Sequence, residues 1–164
     1  MSLYYLNVTV HVLAALLWLG GMFFFAAVGA PTIRKVESPE LRAKLFSSLG
    51  TQFRRVGWIA IAVLVVTGLL NLQFRGMLNW STLGDGSFWV TPYGHALAWK
   101  LTAVTTMIVI SAIHDFIVGP ASSRVRPGTP EAQRLRRRAA WLGRINALVG
   151  VILVFAAVRL ARGG

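Results

Sequence analysis

Apolar residues are gathered in four long blocks along the chain, separated by shorter polar stretches. About 20 consecutive apolar residues cross the hydrocarbon core of a bilayer as an α-helix, which satisfies its own backbone hydrogen bonds there. The pattern therefore predicts an all-α integral membrane protein, a single four-helix bundle over residues 1–164. Its predicted spans are about residues 3–30, 56–74, 95–119 and 139–160.

Capping and breaking signals mark where these helices begin and end. "ESPEL" and "GTPEA" each place a Ser or Thr cap before Pro and Glu, which is typical of a helix start. The first predicts a short amphipathic cytoplasmic helix over about 39–49, ending near Gly50, and the second a basic helix that runs into the fourth span. "GAP" at 29–31 and "VGP" at 118–120 are predicted to end the first and third spans, because proline breaks the helical hydrogen-bond pattern. The first block lacks a basic start and a cleavage site, so it is predicted as a span rather than a signal peptide.

Charged residues make up only 13% of the chain, against about 25% in a typical soluble domain, yet the net charge is +12. The middle connection has one basic residue, Arg75, and one acidic residue, Asp85. The other two connections hold most of the basic residues. These are Arg34, Lys35, Arg42, Lys44, Arg54 and Arg55 in the first and Arg124, Arg126, Arg134, Arg136, Arg137, Arg138 and Arg144 in the third.

This asymmetry predicts an orientation in a bacterial cytoplasmic (inner) membrane. The positive-inside rule assigns the two basic connections to the cytoplasm, and the middle connection and both termini to the outside. The middle connection, about residues 75–94, is called the outer connection below. The rule also accounts for the net charge without nucleic acid as a partner. The chain has no cysteine, which excludes disulfides, thiolate metal sites and iron–sulfur clusters.

Four ionisable residues inside the spans are candidate functional residues, because a charge within a bilayer is costly. At 1.5 Å per residue, His11 and Lys100 lie at similar depths, about 9–12 Å below the outer surface, and His95 lies close to that surface. The third histidine of the chain, His114, lies near the inner side of the membrane, some 28 Å along the helix from His95. His95 points about 140° away from Lys100 around the third helix.

Other polar residues divide into an outer and an inner level. Thr67 and Asn71 lie one turn apart near the outer end of the second span, level with His11. The inner level contains Ser111, His114, Asp115, Arg144 and Asn146. In the outer connection, Trp80, Phe88, Trp89 and Tyr93 are consistent with either an interfacial anchor or a lid over an outer-leaflet site.

Three functions remain open on this pattern. Imidazole is the commonest protein ligand of haem iron, and the core of a helical bundle is a usual place for a b-type haem. His11 would then be an axial ligand and His95 or Lys100 the second ligand or a propionate partner, in a pocket formed by Trp18, Thr67, Asn71 and Trp99. His11 and His95 could instead bind copper. The third hypothesis is a cofactor-free interaction subunit, whose polar groups only fix helix packing.

Four stretches carry a resemblance to a known family: "HVLAALLWLGGMFF", "FRRVGWIAIAVLVVTGLLNL", "WKLTAVTTMIVISAIHDF" and "RINALVG". The chain resembles the CopD-like (copper resistance D) membrane proteins and, more distantly, the HemJ type of protoporphyrinogen oxidase. The first similarity implies copper uptake or resistance. The second implies haem b and a functional pair of a first-helix histidine and a third-helix lysine, which here match His11 and Lys100, with Lys100 as the candidate catalytic residue of an oxidoreductase.

The leading hypothesis is therefore a membrane haem b protein that performs electron transfer or porphyrin-linked oxidation at the outer leaflet, with copper transport as the alternative. Its predicted partners are the lipid bilayer, a quinone or redox partner protein, and further copies of the chain. His114 is a further candidate cofactor ligand, for a separate inner site.

Overall fold

Six helices make up the computed structural model, which describes residues 2–125 and 129–163 except for the side chain of Ser123. Arg126, one of the basic residues of the third connection, lies outside the described residues. The four long helices are long and apolar enough to cross a membrane, which confirms the predicted fold. In chain order the helices are α1 (Leu3–Arg34), α2 (Pro39–Phe74), α3 (Trp80–Leu83), α4 (Gly86–Trp89), α5 (Pro92–Ser122) and α6 (Pro130–Ala161).

The starts of α2, α5 and α6 share one capping device. In each, a Ser or Thr with an extended backbone precedes a proline at the first helical position. Its hydroxyl oxygen accepts a hydrogen bond from a backbone N–H of the first turn, which would otherwise have no partner. The three caps are Ser38 to Leu41 at 3.1 Å, Thr91 to Gly94 at 3.0 Å and Thr129 to Ala132 at 3.2 Å.

The predicted short helix over about 39–49 is helical, but it does not end near Gly50. Instead α2 continues without a break to Phe74. A Cβ added at Gly50 would have no neighbouring atom within 4 Å. A glycine within a helix lowers the stability of the helix by only about 1 kcal/mol relative to alanine. Without a proline in this stretch, each backbone N–H can continue the helical hydrogen-bond pattern, so the segment and the second span form one continuous helix.

The "GAP" and "VGP" signals do not end their helices either, and this prediction was wrong. α1 continues through Pro31 to Arg34, and α5 continues through Pro120. Directly before each proline the helix widens into a π-helical stretch, Phe25–Gly29 in α1 and Ile113–Val118 in α5. The wider turn changes the hydrogen-bond partners at the point where proline lacks an N–H, which lets the helix accommodate the ring.

The core lies along the centre of the bundle and receives side chains from all four long helices. α1 packs mainly on α2, and α5 mainly on α6. One buried cluster joins the two pairs, with Met107 fully buried at its centre. Its members are Trp18, Leu19, Ala60, Ile61, Ala103, Met107 and Leu153.

The outer connection packs onto the end of the bundle through part of its aromatic set. Phe88 and Trp89 of α4 lie against a second buried cluster of Ala96, Leu97 and Leu160. The Trp89 indole N–H also donates to the Leu83 carbonyl at 2.9 Å. By contrast, the Trp80 side chain is 91% exposed.

Asp85 fixes the start of α4 within this connection. Its carboxylate accepts hydrogen bonds from the Ser87 hydroxyl at 2.6 Å and from the Ser87 backbone N–H at 2.8 Å. Because both bonds stabilise the charged carboxylate, they lower the pKa of Asp85 below its ordinary value. The charged Asp85 side chain therefore caps the first turn of α4.

Candidate functional site

A polar cluster joins α1 to α2 near the end of the bundle that the charge pattern predicts to face outside. The Asn7 amide donates to the Thr67 carbonyl at 3.0 Å and to the Asn71 side-chain oxygen at 2.9 Å. The His11 Nδ1 lies 2.7 Å from the Thr67 hydroxyl. Asn7 and Thr67 are buried, and His11 is half-buried. We call these four residues, Asn7, His11, Thr67 and Asn71, the outer polar cluster.

The helical repeat explains why these side chains meet. Asn7 and His11 are four residues apart on α1, and Thr67 and Asn71 are four apart on α2, so each pair shares one helix face. Gly68 lies beside the ring on the same stretch of α2: a Cβ placed there would be in ordinary van der Waals contact with the His11 Cε1, at 3.5 Å.

The Thr67 hydroxyl lies between the His11 ring and a backbone carbonyl. Its oxygen is 2.6 Å from the Val63 carbonyl and 2.7 Å from the His11 Nδ1. When its single proton goes to Val63, the hydroxyl accepts from His11, and Nδ1 carries the ring proton. The other ring nitrogen, Nε2, keeps its lone pair and is free to bind a metal centre or a proton.

Lys100 belongs to the same region of the bundle. Its half-buried ammonium, on α5, is close enough to His11 and to Arg75 for electrostatic interaction with both. Within residues 2–125 and 129–163, no carboxylate lies within ion-pair distance of Lys100. The outer polar cluster is therefore flanked by positive charge that no described carboxylate balances.

The remaining residues predicted for the outer site lie elsewhere. His95 is exposed, and in the described part of the chain no hydrogen bond connects its ring to the outer polar cluster. Trp99 is also exposed, at 63%. Trp18 is buried in the central core beside Gly57, about 10 Å along α1 from His11. Of the predicted set, the structure brings together His11, Thr67, Asn71 and Lys100.

The polar residues predicted to lie together at the inner level instead form two separate groups of contacts. Asp115 accepts from the Trp58 indole N–H at 3.1 Å and pairs with the His114 Nδ1 at 2.9 Å. The Arg54 guanidinium donates to the Asp115 backbone carbonyl at 3.1 Å. These contacts join α5 to α2, so the Asp115 carboxylate is held by Trp58 and His114, and Arg144 of α6 is not its partner.

The second inner contact lies between α5, α6 and α1. The buried Asn146 amide donates to the Ser111 hydroxyl at 3.0 Å and lies 3.5 Å from the Met22 sulfur. Its side-chain oxygen has no hydrogen-bond partner among the described residues. Asn146 therefore links three helices, and its position in the core is only partly satisfied.

Sequence reasoning missed two residues of these contacts, Asn7 and Trp58. Each lies one helical turn from a residue that was identified, Asn7 from His11 and Trp58 from Arg54. The four-residue spacing was therefore the available signal. Within the described ranges, no group of three His, Cys, Asp or Glu side chains could hold a metal ion.

Four membrane-spanning helices with a histidine-centred polar cluster between the first two define the class, a multi-pass membrane protein. The profile of the family described as copper resistance protein D matches residues 47–160. The chain therefore belongs to the copper resistance protein D family. The matched region contains Thr67 and Lys100 but begins after α1 and so does not include His11.

Two relatives extend over most of the chain. An uncharacterized protein of Aquifex aeolicus is 30% identical over 93% of this chain and 92% of its own length. The adenosylcobinamide-GDP ribazoletransferase of Deinococcus radiodurans is 33% identical over 99% of this chain, which spans 61% of the length of that protein. No solved structure matches the chain.

Proposed function

We propose that the protein is a redox protein of the bacterial cytoplasmic membrane that binds a b-type haem through the Nε2 atom of His11. The supporting observation is the 2.7 Å contact between the His11 Nδ1 and the Thr67 hydroxyl, which holds the ring in place. With the Thr67 proton donated to the Val63 carbonyl, Nδ1–H is the donor of this contact and Nε2 is left with a free lone pair. A histidine held in this way by its second nitrogen is the usual arrangement of an imidazole metal ligand. When bound, the haem iron would supply one-electron redox chemistry.

The charges around His11 favour a ligand that carries negative groups. The positive side chains of Lys100 and Arg75 lie on the same side of the bundle, with no described carboxylate paired to Lys100. Cations at this position repel a free metal cation and attract carboxylates such as the two propionates of haem. In this proposal Lys100 holds a propionate, and it does not need to be an iron ligand.

The spectrum of the purified protein tests the proposal. After haem-replete expression we expect a Soret band in the wild type that is lost in His11→Ala, because Nε2 is removed. His95→Ala is the matched control and should keep the band, since His95 is exposed and outside the outer polar cluster. A colourless wild type, or an unchanged band in His11→Ala, would exclude His11 ligation of haem.

Thr67→Val should weaken haem binding without removing the ligand. Valine has the shape of threonine but no hydroxyl, so the Nδ1–H loses its acceptor and the ring is no longer fixed. Loss of such a partner costs roughly 10–100-fold in affinity. Thr67→Ser keeps the hydroxyl and should bind close to wild type in a haem titration, which separates the role of the hydrogen bond from a packing effect. Equal affinity of the valine and serine variants would contradict a positioning role.

Copper transport or resistance is the second candidate, and family membership favours it. The described side chains offer His11 as a single imidazole, without further ligands for a closed copper site, and a cation lies nearby. Copper as a transported substrate would thus need further ligands from another conformation or another copy. Metal analysis distinguishes the two functions: stoichiometric copper without porphyrin, lost in His11→Ala, would support this candidate.

The proposed membrane orientation and partners are the same for either function. Both termini are proposed to face the outside, so the outer polar cluster would lie near the outer leaflet, where a quinone or a redox partner protein can reach it.

The third candidate is a cofactor-free interaction subunit. A colourless, metal-free protein that stays functional as His11→Ala and as Lys100→Ala would support it.

A further inference from the structure

At the opposite, basic end of the bundle, we propose that a groove between α5 and α6 binds the phosphate headgroup of an anionic phospholipid. The groove has a volume of about 420 Å³. Val118 supplies the α5 side, and the α6 side is formed by Arg134, Arg137, Arg138, Trp141, Leu142 and Ile145. It is separate from the outer polar cluster, so the proposal does not depend on the identity of the cofactor.

The spacing along α6 places the polar and apolar parts of the groove in order. Residues 134, 137, 138, 141 and 145 follow the three- and four-residue repeat of one helix face. The three arginines come first, towards the start of α6, and the indole and aliphatic side chains follow. From Arg138 to Ile145 the helix rises about 10 Å, which is enough to pass from the headgroup region into the acyl chains.

The three guanidinium groups are available for a ligand. Arg134, Arg137 and Arg138 are exposed, and in the described part of the chain none forms a hydrogen bond or ion pair. One carboxylate, that of Glu131, lines a smaller adjoining groove with Arg134 and Arg138. Three positive charges against one negative charge leave the groove cationic, and guanidinium binds phosphate oxygens in a bidentate manner.

The apolar half of the groove indicates a lipid rather than a soluble phosphate. Trp141 is 62% exposed, and an indole at this level is typical of the membrane interface. Below it, Val118, Leu142 and Ile145 form an apolar wall that continues from the cationic end. Basic pockets between transmembrane helices on the cytoplasmic side bind anionic lipid headgroups, and the positive-inside rule predicts that side for this end.

A matched pair of triple variants tests the proposal. The groove variant carries Arg134→Gln, Arg137→Gln and Arg138→Gln. The control carries Arg124→Gln, Arg136→Gln and Arg144→Gln, which remove the same charge from positions that do not line the groove. Each protein is delipidated in neutral detergent and titrated with phosphatidylglycerol or phosphatidylcholine, and bound lipid is counted by native mass spectrometry.

We expect the wild type and the control to retain phosphatidylglycerol in preference to phosphatidylcholine, and the groove variant to lose about a hundredfold in affinity. Equal losses in both triple variants would show a general charge effect and overturn the site. So would equal retention of both lipids, or competition by inorganic phosphate at concentrations comparable to the lipid. If the groove variant does not fold, the single variant Arg137→Gln, with about a fivefold loss expected, provides the same comparison against Arg136→Gln.

Discussion

Gly94→Ala should destabilise the protein by about 3 kcal/mol and release the outer connection from the bundle. A Cβ at this position would collide with the Phe88 carbonyl oxygen and would lie 2.9 Å from the Trp89 Cα. These are backbone atoms, which cannot turn aside as a side chain can, so α4 would have to move away from the start of α5. Forced backbone shifts of this kind typically cost about 1–3 kcal/mol, and the loss of Phe88 and Trp89 packing places this variant at the upper end.

The unfolding free energy in detergent and hydrogen exchange of residues 80–94 measure the two effects. Gly86→Ala is the matched control within the same connection, because no atom lies within 4 Å of its added Cβ. It should change the unfolding free energy by no more than about 1 kcal/mol. If the two variants were equally stable and equally protected from exchange, α4 would not be packed on Gly94.

Asp115→Ala should weaken the attachment of α2 to α5 at the inner end. The Trp58 indole N–H and the His114 Nδ1 both lose their acceptor, while the bond from Arg54 to the backbone carbonyl remains. Leaving a partly buried donor without a partner costs about 1–3 kcal/mol, so we expect a loss of about 2 kcal/mol in the unfolding free energy.

A double-mutant cycle with Trp58→Phe separates this bond from general packing. Phenylalanine keeps a ring against Phe116, whose centroid is 5.4 Å from that of Trp58, but has no N–H. We expect a coupling of about 1 kcal/mol between positions 58 and 115, and Asp115→Asn should retain part of it through its amide oxygen. Strictly additive effects would mean that the Trp58–Asp115 bond contributes nothing to stability.

The outer polar cluster could be predicted only in part. Some of its members are recognisable from the sequence, and others only from the packing of the helices. His11, Thr67 and Asn71 stand out as polar residues in apolar spans. The four-residue spacing of Thr67 and Asn71 on α2 is also visible in the sequence. Asn7 has the same spacing from His11, but near the start of a span it resembles an ordinary interfacial residue. Its burial and its two bonds to α2 became evident only when the helices were packed.

The choice between His95 and Lys100 depended on rotation about the α5 axis. The sequence places them about 140° apart, which establishes that they face different directions but not which one faces α1. In the structure Ala96, Leu97 and Ala103 are buried, Lys100 is half-buried near His11, and His95 is exposed. Packing of small and apolar residues therefore determined which of the two ionisable groups lies beside the outer polar cluster.

By itself, the sequence determined the four spans, the caps of α2 and α6 and the concentration of basic residues in two connections. These features depend on local composition and on hydrogen bonds within a few residues. Only the tertiary structure decided that α1 and α5 continue through their prolines, that His11 meets Thr67 and that Asp115 meets Trp58. The rotation of each helix about its axis is set by packing between helices, which the apolar period of a single helix does not specify. The prolines are tolerated through π-helical turns, and a Gly/Pro signal alone does not distinguish such a turn from a helix end.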